Sequence, residues 1–569
     1  MAKNLDALRH SCSHVMADAV KRLFPKVKLG IGPAIENGFY YDFDKKDGFV
    51  PEDLGKIEKA MKKIIKQNLE FKREEISKKE ALKLFKKEPY KVELINNLES
   101  ETVSIYRHGK FVDLCKGPHV AFTGEIKAFK LLSIAGAYWH GIETNPMLQR
   151  IYGTCFLQQE ELDKMLKMME EAKKRDHRKL GKELDLFSIH DEVGPGLVFY
   201  HPKGAILRML VEDYIKKAHL KRGYQFVMGP HILKSDIWVT SGHYEYYKEN
   251  MYIFKVDKEE YVIKPMNCPA HMIIYKSKLR SYKNLPIRYF ELGNVHRREK
   301  SGVLHGLLRV RGFTQDDAHI FCLPSQITKE IAGVIDFVLD TMKIFGFTDY
   351  KIDISTRPPK YIGSLEVWER ATEALKNALS SRNMEYEINE GEGAFYGPKI
   401  DIMVKDALGR PWQCATVQCD FALPERFDLR YISQDGKKER PVILHRVILG
   451  SIERFIGTLI EHYAGSFPVW LSPVQTLVIP ITERSLGYAQ KIFDKLQSRS
   501  IRAELDDRNE KLQYKIREGE LNKIPYMLIV GDKEEEQATI SLRARTKGNL
   551  GTMKIEEFIE KIEGELNPA

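Results

Sequence analysis

The pattern of apolar and polar positions divides the chain into stretches of different character. The first begins with an amphipathic run, Leu5–Phe24, which predicts a helix ended by Pro25, and a strand-like segment follows at Gly38–Phe43. Further strands and turns are expected over residues 90–150. Leu157–Leu184 is rich in Glu, Lys, Met and Leu and has no glycine or proline before position 181, so it predicts one long exposed helix that acts as a connector.

From Phe187 onward, short apolar runs alternate with polar residues, and glycine, proline and aromatic residues are frequent. Arg288–His296 and Leu307–Phe313 predict two strands joined by a glycine-containing loop, and Asn383–Ile402 and Gln413–Phe421 continue the pattern. Ile448–His462 resembles a helix. This stretch therefore predicts an antiparallel sheet with accompanying helices.

After Ser472-Pro473 the chain alternates regularly between strand and helix patterns. This alternation predicts a compact α/β domain of about 100 residues. The predicted elements are strand Thr476–Pro480, helix Glu483–Arg499, strand Arg502–Leu505, helix Asn509–Asn522, strands Met527–Val530 and Thr539–Arg545, and helix Ile555–Gly564.

The composition narrows the class of protein. The 569 residues suggest three or four domains, and no apolar run approaches the ~20 residues of a membrane span. The N-terminus lacks the apolar core of a signal peptide. Seven scattered cysteines argue against a disulfide framework and for a reducing compartment, so we expect a cytoplasmic protein with no membrane partner.

The net charge of +10 is modest, but its distribution is informative. Leu54–Lys87 holds 12 basic and 5 acidic residues, whereas residues 470–569 hold 16 and 17. The basic stretch is either a solvated helix face or a surface that contacts phosphates.

Five arginines occur within Arg288–Phe313, together with acids nearby. Arg309 and Arg311 are two residues apart and would share one face of a strand, where like charges repel unless an anion lies between them. Arginines beside Glu299, Asp316 and Asp317 suit a nucleoside triphosphate with magnesium. An exposed basic strand is the alternative.

Histidines and a cysteine also cluster near the N-terminus. His10 and His14 are four residues apart on one predicted helix face, and Cys115 and His119 add a second pair. This set is either a zinc site or ordinary structural residues. It is not a metalloprotease motif, because Ser11 occupies the position that requires glutamate.

Three longer motifs carry a family resemblance. His296-Arg297-Arg298-Glu299, followed by the run from Arg309 to His319, resembles the second signature motif of class II aminoacyl-tRNA synthetases in its threonyl version. Gly450–Phe455 resembles the third motif, and the segment ending at Gly229-Pro230 resembles the first. The chain is similar to the threonyl-tRNA synthetase family from His10 to its C-terminus.

The resemblance implies an α+β and α/β multidomain architecture. It implies an α+β editing domain at residues 1–155, a helical linker at 156–185, a class II catalytic core with an antiparallel sheet at 186–469, and an α/β anticodon-binding domain at 470–569. Many relatives also carry a small ubiquitin-like domain before the editing domain. We expect a bacterial-type protein that lacks it.

The resemblance further implies threonine–tRNA ligase activity, in which ATP and threonine give threonyl-adenylate and then charged tRNA. Arg297 would hold the α-phosphate and the amino-acid carboxylate, and Glu299 would contact the adenine amino group. Arg309 and Arg454 would bind the far phosphates and the base, with Gln413 near ATP. These four charged residues are the expected catalytic group, with Mg²⁺ accompanying ATP.

Cys268, His319 and His445 are separated by 51 and 126 residues, so their spacing alone reveals no metal motif. The resemblance implies that they bind one Zn²⁺ per subunit with a position left open for substrate. Threonine offers zinc its amino group and β-hydroxyl, Asp317 could accept the hydroxyl proton, and Gln315 and Tyr396 would contact the substrate. Valine lacks that hydroxyl, whereas serine differs only by a methyl group.

A methyl group is worth about 1–3 kcal/mol, so serine requires a second, hydrolytic site. The resemblance places it in the N-terminal domain, where water would cleave Ser-tRNA without metal. The composition of this site does not choose between metal and no metal. The matching residues are His10, His14, Lys91, Asp113, Cys115 and His119.

In the C-terminal domain the matching anticodon contacts are Asn509, Glu534 and Arg543, residue types that can read exposed base edges. The expected partners are tRNA(Thr), ATP and threonine, and the first motif implies a homodimer. A class II synthetase for another amino acid is one alternative. A catalytically idle relative that only binds tRNA or mRNA is the other.

Overall fold

The computed structural model describes residues 2–142 and 144–567. The chain separates into two compact units, Met1–Glu171 and Ala172–Ala569. None of the helices within the described residues combines the length and apolar character that a bilayer crossing requires.

The first unit packs its N-terminal helix on a sheet. Leu8, Cys12 and Val15 recur at helical spacing and are buried against the aromatic side chains of the strand at residues 38–44. The elements are α1 (Ala2–Leu23), β1 (Lys28–Leu29), β2 (Ala34–Ile35), β3 (Gly38–Asp44), α2 (Pro51–Lys66), β4 (Lys72–Ser77), α3 (Lys78–Leu84), α4 (Pro89–Asn96), β5 (Thr102–His108), β6 (Phe111–Leu114), β7 (Ala128–Tyr138) and β8 (Met147–Phe156).

These strands form two antiparallel sheets. One has the order β1-β3-β8-β7, with β2 paired to β3, and the other has the order β4-β5-β6. The predicted helix at 5–24 and strand at 38–43 are confirmed as α1 and β3. The charged stretch at 54–87 extends from α2 to just beyond α3.

The connector is not the single helix that the sequence predicts. It consists of α5 (Gln159–Arg175) and α6 (His177–Glu183). Asp176 interrupts it because its backbone leaves the helical conformation, with ψ at 120°, and its carboxylate accepts the Arg178 N–H at 2.8 Å and so caps a new helix.

The segment of the second unit that follows the connector contains a long sheet with helices packed on it. Its elements are β9 (Phe187–Ser188), β10 (Phe199–Tyr200), α7 (Pro202–Lys221), β11 (Gln225–Phe226), β12 (Ile232–Lys234), α8 (Ser235–Ser241), α9 (His243–Tyr247), β13 (Tyr252–Val256), β14 (Glu259–Ile263), α10 (Cys268–Lys276), β15 (Ile287–His296), β16 (Gly312–Cys322), α11 (Ile327–Ile344), β17 (Tyr350–Ser355), α12 (Leu365–Ser380), β18 (Glu387–Asn389), β19 (Lys399–Lys405), β20 (Pro411–Asp420), α13 (Ala422–Arg426), β21 (Tyr431–Ile432), β22 (Lys438–Glu439), β23 (Val442–Val447) and α14 (Ile452–Tyr463).

The sheet has the order β11-β15-β16-β23-β20-β19-β17-β18. Its six central strands pair antiparallel, and only the outermost strands, β11 and β18, pair parallel to their neighbours. The predicted antiparallel sheet is therefore confirmed, and α14 confirms the helix predicted near 448–462.

Two strand predictions in this segment are wrong. The second hairpin strand begins only at Gly312, because residues 305–309 close a tight turn in which Gly306 adopts φ +48°. Arg309 and Arg311 therefore lie before the strand and do not share a strand face. The predicted strand region at 383–402 contains only the short β18 and the start of β19.

The C-terminal α/β segment has the predicted alternation. Its elements are β24 (Thr476–Pro480), α15 (Leu486–Ser498), β25 (Ala503–Leu505), α16 (Leu512–Leu521), β26 (Tyr526–Val530), α17 (Asp532–Glu536), β27 (Thr539–Ala544), β28 (Gly548–Lys554) and α18 (Ile555–Glu563). The sheet has the order β25-β24-β26-β27-β28, and the sequence pattern missed the short helix α17 and the edge strand β28.

Candidate active site and a second pocket

A cavity of about 470 Å³ opens beside the long antiparallel sheet of the second unit. It gathers residues that are scattered along the chain from Tyr247 to Arg454. The predicted residues that line it are Cys268, Arg297, Gln315, Asp317, His319, Tyr396, Gln413, His445 and Arg454.

Two predicted residues do not line this cavity. Glu299 follows β15, and Arg309 closes the turn before β16; they form an ion pair with 3.0 Å between the Arg309 Nη2 and Glu299 Oε2 atoms. The pair lies in the same segment as Arg297, but its two charges neutralise each other.

The sheet register assembles a three-residue cluster at one end of the cavity. His319 on β16 lies directly opposite His445 on β23, and Cys268 begins α10 beside them. Their candidate ligand atoms all lie within 4.8 Å of one another, and all three side chains are buried. One sulfur and two imidazole nitrogens with room for a further ligand fit a zinc site of the substrate-binding type.

Polar partners orient the two histidines. His445 Nε2 lies 2.9 Å from Asp420 Oδ2, and His319 Nδ1 lies 2.8 Å from His271 Nδ1. His271 continues to the buried carboxylate of Glu291 at 3.1 Å. Metal-ligating histidines usually have such partners, which fix the ring orientation.

Burial sets the protonation state around the cluster. It lowers the pKa of His319 well below its usual value and raises the pKa of Cys268 well above its own. It also raises the pKa of Asp317, although His271 and a hydrogen bond from Asn267 act in the opposite direction. Without a cation the His319 imidazole and the Cys268 thiol favour their neutral forms, and a bound cation would convert the thiol to the ligating thiolate.

Neighbouring side chains hold the polar wall of the cavity in place. Asn267 Nδ2 donates to Asp317 Oδ2 at 3.1 Å, and the Tyr396 hydroxyl donates to Gln418. His243 is fully buried, with its Nε2 3.9 Å from Cys268 Sγ. Sequence analysis missed His243 and Gln418. Asn267 could have been found from the sequence, because it directly precedes Cys268, whereas no local pattern indicated His243 or Gln418.

Arg297 and Arg454 give the cavity its positive charge. Arg297 Nε donates to the Pro265 carbonyl at 3.2 Å, and Arg454 Nε donates to the Leu308 carbonyl at 3.1 Å. Burial lowers the pKa of Arg454, and the nearby Arg297 adds to the effect. Two fixed guanidinium groups facing one cavity are suited to the oxygens of a phosphate chain.

The first unit holds a second pocket, of about 910 Å³. Five of the six predicted editing residues line it: His10, His14, Lys91, Asp113 and Cys115. His119 lies behind Cys115, where its Nε2 is 3.2 Å from the Cys115 Sγ and its Nδ1 is 3.0 Å from Ser11 Oγ.

A buried ion pair lies at the inner side of this pocket. Lys91 Nζ is 2.5 Å from Asp113 Oδ1, and the exposed fraction of each side chain is no more than 2%. The Tyr41 hydroxyl donates to Asp113, and His14 Nε2 lies 3.7 Å from the same carboxylate. The network holds an ammonium group beside the imidazoles.

Burial favours the neutral forms of the imidazoles and of the thiol at this pocket. Burial lowers the pKa values of His10 and His14 and brings that of His119 to about 2, while it raises the pKa of Cys115 to about 12. The ligand atoms of His10, His14, Cys115 and His119 also lie within 4.8 Å of one another. The geometry alone therefore fits either a metal or a metal-free polar pocket.

Family profiles match three parts of the chain. "Threonyl and Alanyl tRNA synthetase second additional domain" matches residues 103–152, "tRNA synthetase class II core domain (G, H, P, S and T)" matches residues 252–463, and "Anticodon binding domain" matches residues 475–565.

Curated relatives match almost the whole chain. A "Threonine--tRNA ligase" of Citrifermentans bemidjiense is 61% identical over 564 residues, which cover 99% of this chain and 88% of that protein. The chain belongs to the threonine–tRNA ligase family. A second relative with the same description, from Caldanaerobacter subterraneus subsp. tengcongensis, is 60% identical over 97% of this chain and 86% of its own length.

Solved structures agree with this family. The crystal structure of the RNA binding domain of threonyl-tRNA synthetase from Cryptosporidium parvum is 43% identical, with a TM-score of 0.67 over 69% of this chain and 99% of that one. A Giardia lamblia prolyl-tRNA synthetase at 16% identity and a TM-score of 0.55 shares the fold.

The three residues expected to read the anticodon in this family lie in the C-terminal segment. Asn509 is exposed in the loop before α16. Glu534 on α17 accepts from Ser541 Oγ at 2.9 Å, and Arg543 on β27 pairs with Glu520 at 2.7 Å. Both charged residues are therefore engaged within the segment.

The raised pKa of Cys115 predicts how fast its thiol reacts with an alkylating reagent. A higher thiol pKa leaves less thiolate at a given pH, so alkylation of Cys115 by iodoacetamide at pH 7.5 should be about a hundredfold slower than that of the same residue in the urea-unfolded chain. Its rate should still rise about tenfold per pH unit between pH 8 and 10. Peptide mass spectrometry would measure both rates, and rapid labelling at neutral pH in the folded protein would show a stabilised thiolate instead.

Proposed function

We propose that this protein is a threonine–tRNA ligase that joins threonine to tRNA(Thr) at the expense of ATP and hydrolyses mischarged Ser-tRNA. The observation that carries the proposal is a single cavity that joins the Cys268, His319 and His445 cluster to Arg297 and Arg454. The cluster suits a small polar amino acid, and the arginines suit the phosphates of ATP.

Activation requires the threonine carboxylate to attack the α-phosphate of ATP, with release of pyrophosphate. Arg297 binds the α-phosphate and the carboxylate together, while Arg454, with Mg²⁺ on ATP, binds the remaining phosphate charge. Gln413 lies near ATP. A hydroxyl of the terminal adenosine of tRNA then displaces AMP from threonyl-adenylate.

Glu299 and Arg309 complete the ATP site after they separate. In the structure they neutralise each other. ATP offers the adenine amino group to Glu299 and phosphate oxygens to Arg309, so it replaces one ion pair with two ligand contacts.

Cys268, His319 and His445 would hold one Zn²⁺ per subunit. When bound, zinc would supply a Lewis acid for the polar groups of threonine. Asp317, fixed by Asn267, accepts the hydroxyl proton in a hydrogen bond, and Gln315 and Tyr396 line the same wall.

This wall rejects valine much more strongly than it rejects serine. Valine leaves Asp317 without its hydrogen bond, and sites built around a substrate hydroxyl reject the analogue that lacks it by about 10⁴–10⁵. Serine keeps the hydroxyl and loses one methyl group, which costs only about 10–200-fold. Serine must therefore be removed after activation.

The pocket of the first unit performs that removal. Its neutral imidazoles, His10, His14 and His119, accept and return the proton of an attacking water, and Lys91 stabilises the developing oxyanion. Asp113 holds Lys91 in place, and Cys115 positions His10 and His119. We propose this chemistry without a metal.

The domains divide the recognition of tRNA. Residues 1–155 form the editing domain, 156–185 the linker, 186–469 the catalytic domain and 470–569 the anticodon-binding domain. The lysines of 54–87 contact acceptor-arm phosphates, which is a sequence-independent task. Asn509, Glu534 and Arg543 read anticodon bases.

The proposed enzyme is a cytoplasmic homodimer. Apolar side chains are exposed at the first motif, where Met228 is 86% exposed and Ile232 is half exposed. Exposed apolar side chains of this kind support a subunit interface there.

Amino-acid-dependent ATP–pyrophosphate exchange tests the activity. Threonine should support exchange, serine should support it about 10–200-fold less efficiently, and valine about 10⁴-fold less efficiently. Removal of zinc or a Cys268→Ser substitution should abolish exchange with threonine, while Cys115→Ser, a cysteine change in the other pocket, should leave it intact. A wild-type protein that shows no exchange with threonine would contradict the proposal.

The editing function predicts a separate phenotype. His14→Ala and Lys91→Ala should keep threonine exchange but let Ser-tRNA(Thr) accumulate, because the proton acceptor or the ammonium group is lost. Lys46→Ala, an exposed lysine of the same unit, is the control and should edit normally. Deacylation of Ser-tRNA should also resist chelators; wild-type deacylation rates in both variants, or a chelator-sensitive reaction, would overturn this assignment.

A further inference from the structure

A buried histidine of the connector lies outside every site described above. His177 is the first residue of α6 and is completely buried. Its Nδ1 is 2.7 Å from Glu461 Oε1 on α14, and its Nε2 accepts the backbone N–H of Leu307 at 3.0 Å. One imidazole therefore joins the connector, the helix of the third motif and the turn 305–309.

The hydrogen bonds fix the form of the ring. Nε2 can accept from Leu307 only when it carries no proton, so Nδ1 carries the proton and donates it to Glu461. Glu461 also accepts from the His177 backbone N–H at 3.2 Å and pairs with Arg410 at 2.5 Å. Both ring nitrogens are thereby engaged, so the neighbouring carboxylates Asp176 and Glu461 do not make this a metal site.

The turn is shaped to receive this histidine. A Cβ at Gly306 would lie 2.1 Å from His177 Nε2, and Gly306 has a positive φ of +48°. A Cβ at Gly457 on α14 would lie 3.2 Å from the Leu307 Cβ and 3.6 Å from the His177 ring. Glycine at these two positions lets three chain segments meet at the imidazole.

The next residues of the turn belong to the proposed ATP site. The Leu308 carbonyl accepts from Arg454 at 3.1 Å, and Arg309 holds Glu299. Within one turn, His177 thus accepts from the Leu307 N–H, and Arg454, which is proposed to bind ATP, donates to the Leu308 carbonyl. A displacement at Leu307 moves the backbone that orients Arg454 and Arg309.

We infer that His177 is a positioning residue for ATP: it fixes the turn 305–309, so the connector helix sets the affinity of the catalytic site for the nucleotide. This inference rests on the proposed function. It concerns ATP alone, because His177 touches none of the residues assigned to threonine.

Two substitutions separate the two hydrogen bonds. In His177→Asn the amide nitrogen can replace Nδ1 toward Glu461, but nothing reaches Leu307. In His177→Gln the amide oxygen can replace Nε2 and accept from Leu307. The first should raise KM for ATP at least tenfold and change KM for threonine less than twofold, whereas the second should raise KM for ATP less than threefold.

Gly306→Ala provides an independent route, because its Cβ displaces the turn from an intact His177; it should reproduce the rise in KM for ATP. His219→Asn is the matched control, a completely buried histidine that stacks on Phe290 and takes no part in the turn. It should lower stability without a selective effect on ATP.

Steady-state exchange of the full-length variants, with ATP and threonine varied separately, decides the matter. An equal rise of both KM values, an unchanged KM for ATP in His177→Asn and Gly306→Ala, or no rescue by glutamine would overturn the inference. If His177→Asn does not fold, the comparison of Gly306→Ala with His177→Gln remains decisive. Absence of threonine-dependent exchange in the wild type would instead remove the proposed function itself.

Discussion

The register of the long antiparallel sheet is the constraint on which the candidate active site depends. It places His319 opposite His445, and Gln418 opposite His445 on the other side. Asp317 and His319 are two residues apart and so share a face of β16. Because a slip of one residue would turn each of these side chains to the opposite face, the register and the chemistry are specified together.

The second determinant is the exclusion of water from polar groups that are held by partners. In the catalytic cavity, Asp420 and His271 orient the two histidines, while in the first unit Asp113 holds Lys91. Burial favours the neutral forms of His319 and Cys268 in one pocket, and those of three imidazoles and the Cys115 thiol in the other. The same physical environment thus suits the proposed metal centre in one pocket and the proposed proton-transferring cluster in the other.

Much of this organisation was readable in the sequence. Periodicity predicted α1 and the alternating C-terminal segment, and the family resemblance implied nine residues that line one cavity. Local patterns could not reveal His243 or Asp420, because a single polar residue that is distant in sequence from the other site residues produces no periodic pattern. Arg309 was predicted on a strand because the residues of the turn 305–309 continue the alternating pattern. The break at Asp176 was not predicted, because the residues on both sides of it have a helical pattern and only the capping side chain interrupts it.

The central claim is that sheet register brings His319 and His445 together beside Cys268 of α10, and that the three residues hold one zinc. X-ray absorption at the zinc edge tests it most directly, in a Cys115→Ser background that removes the only cysteine of the other cluster. The account predicts one sulfur at about 2.3 Å and two imidazole nitrogens at about 2.0–2.1 Å, with the sulfur lost on further substitution of Cys268. A zinc shell without sulfur in that background, or one whose sulfur survives the loss of Cys268, would contradict it.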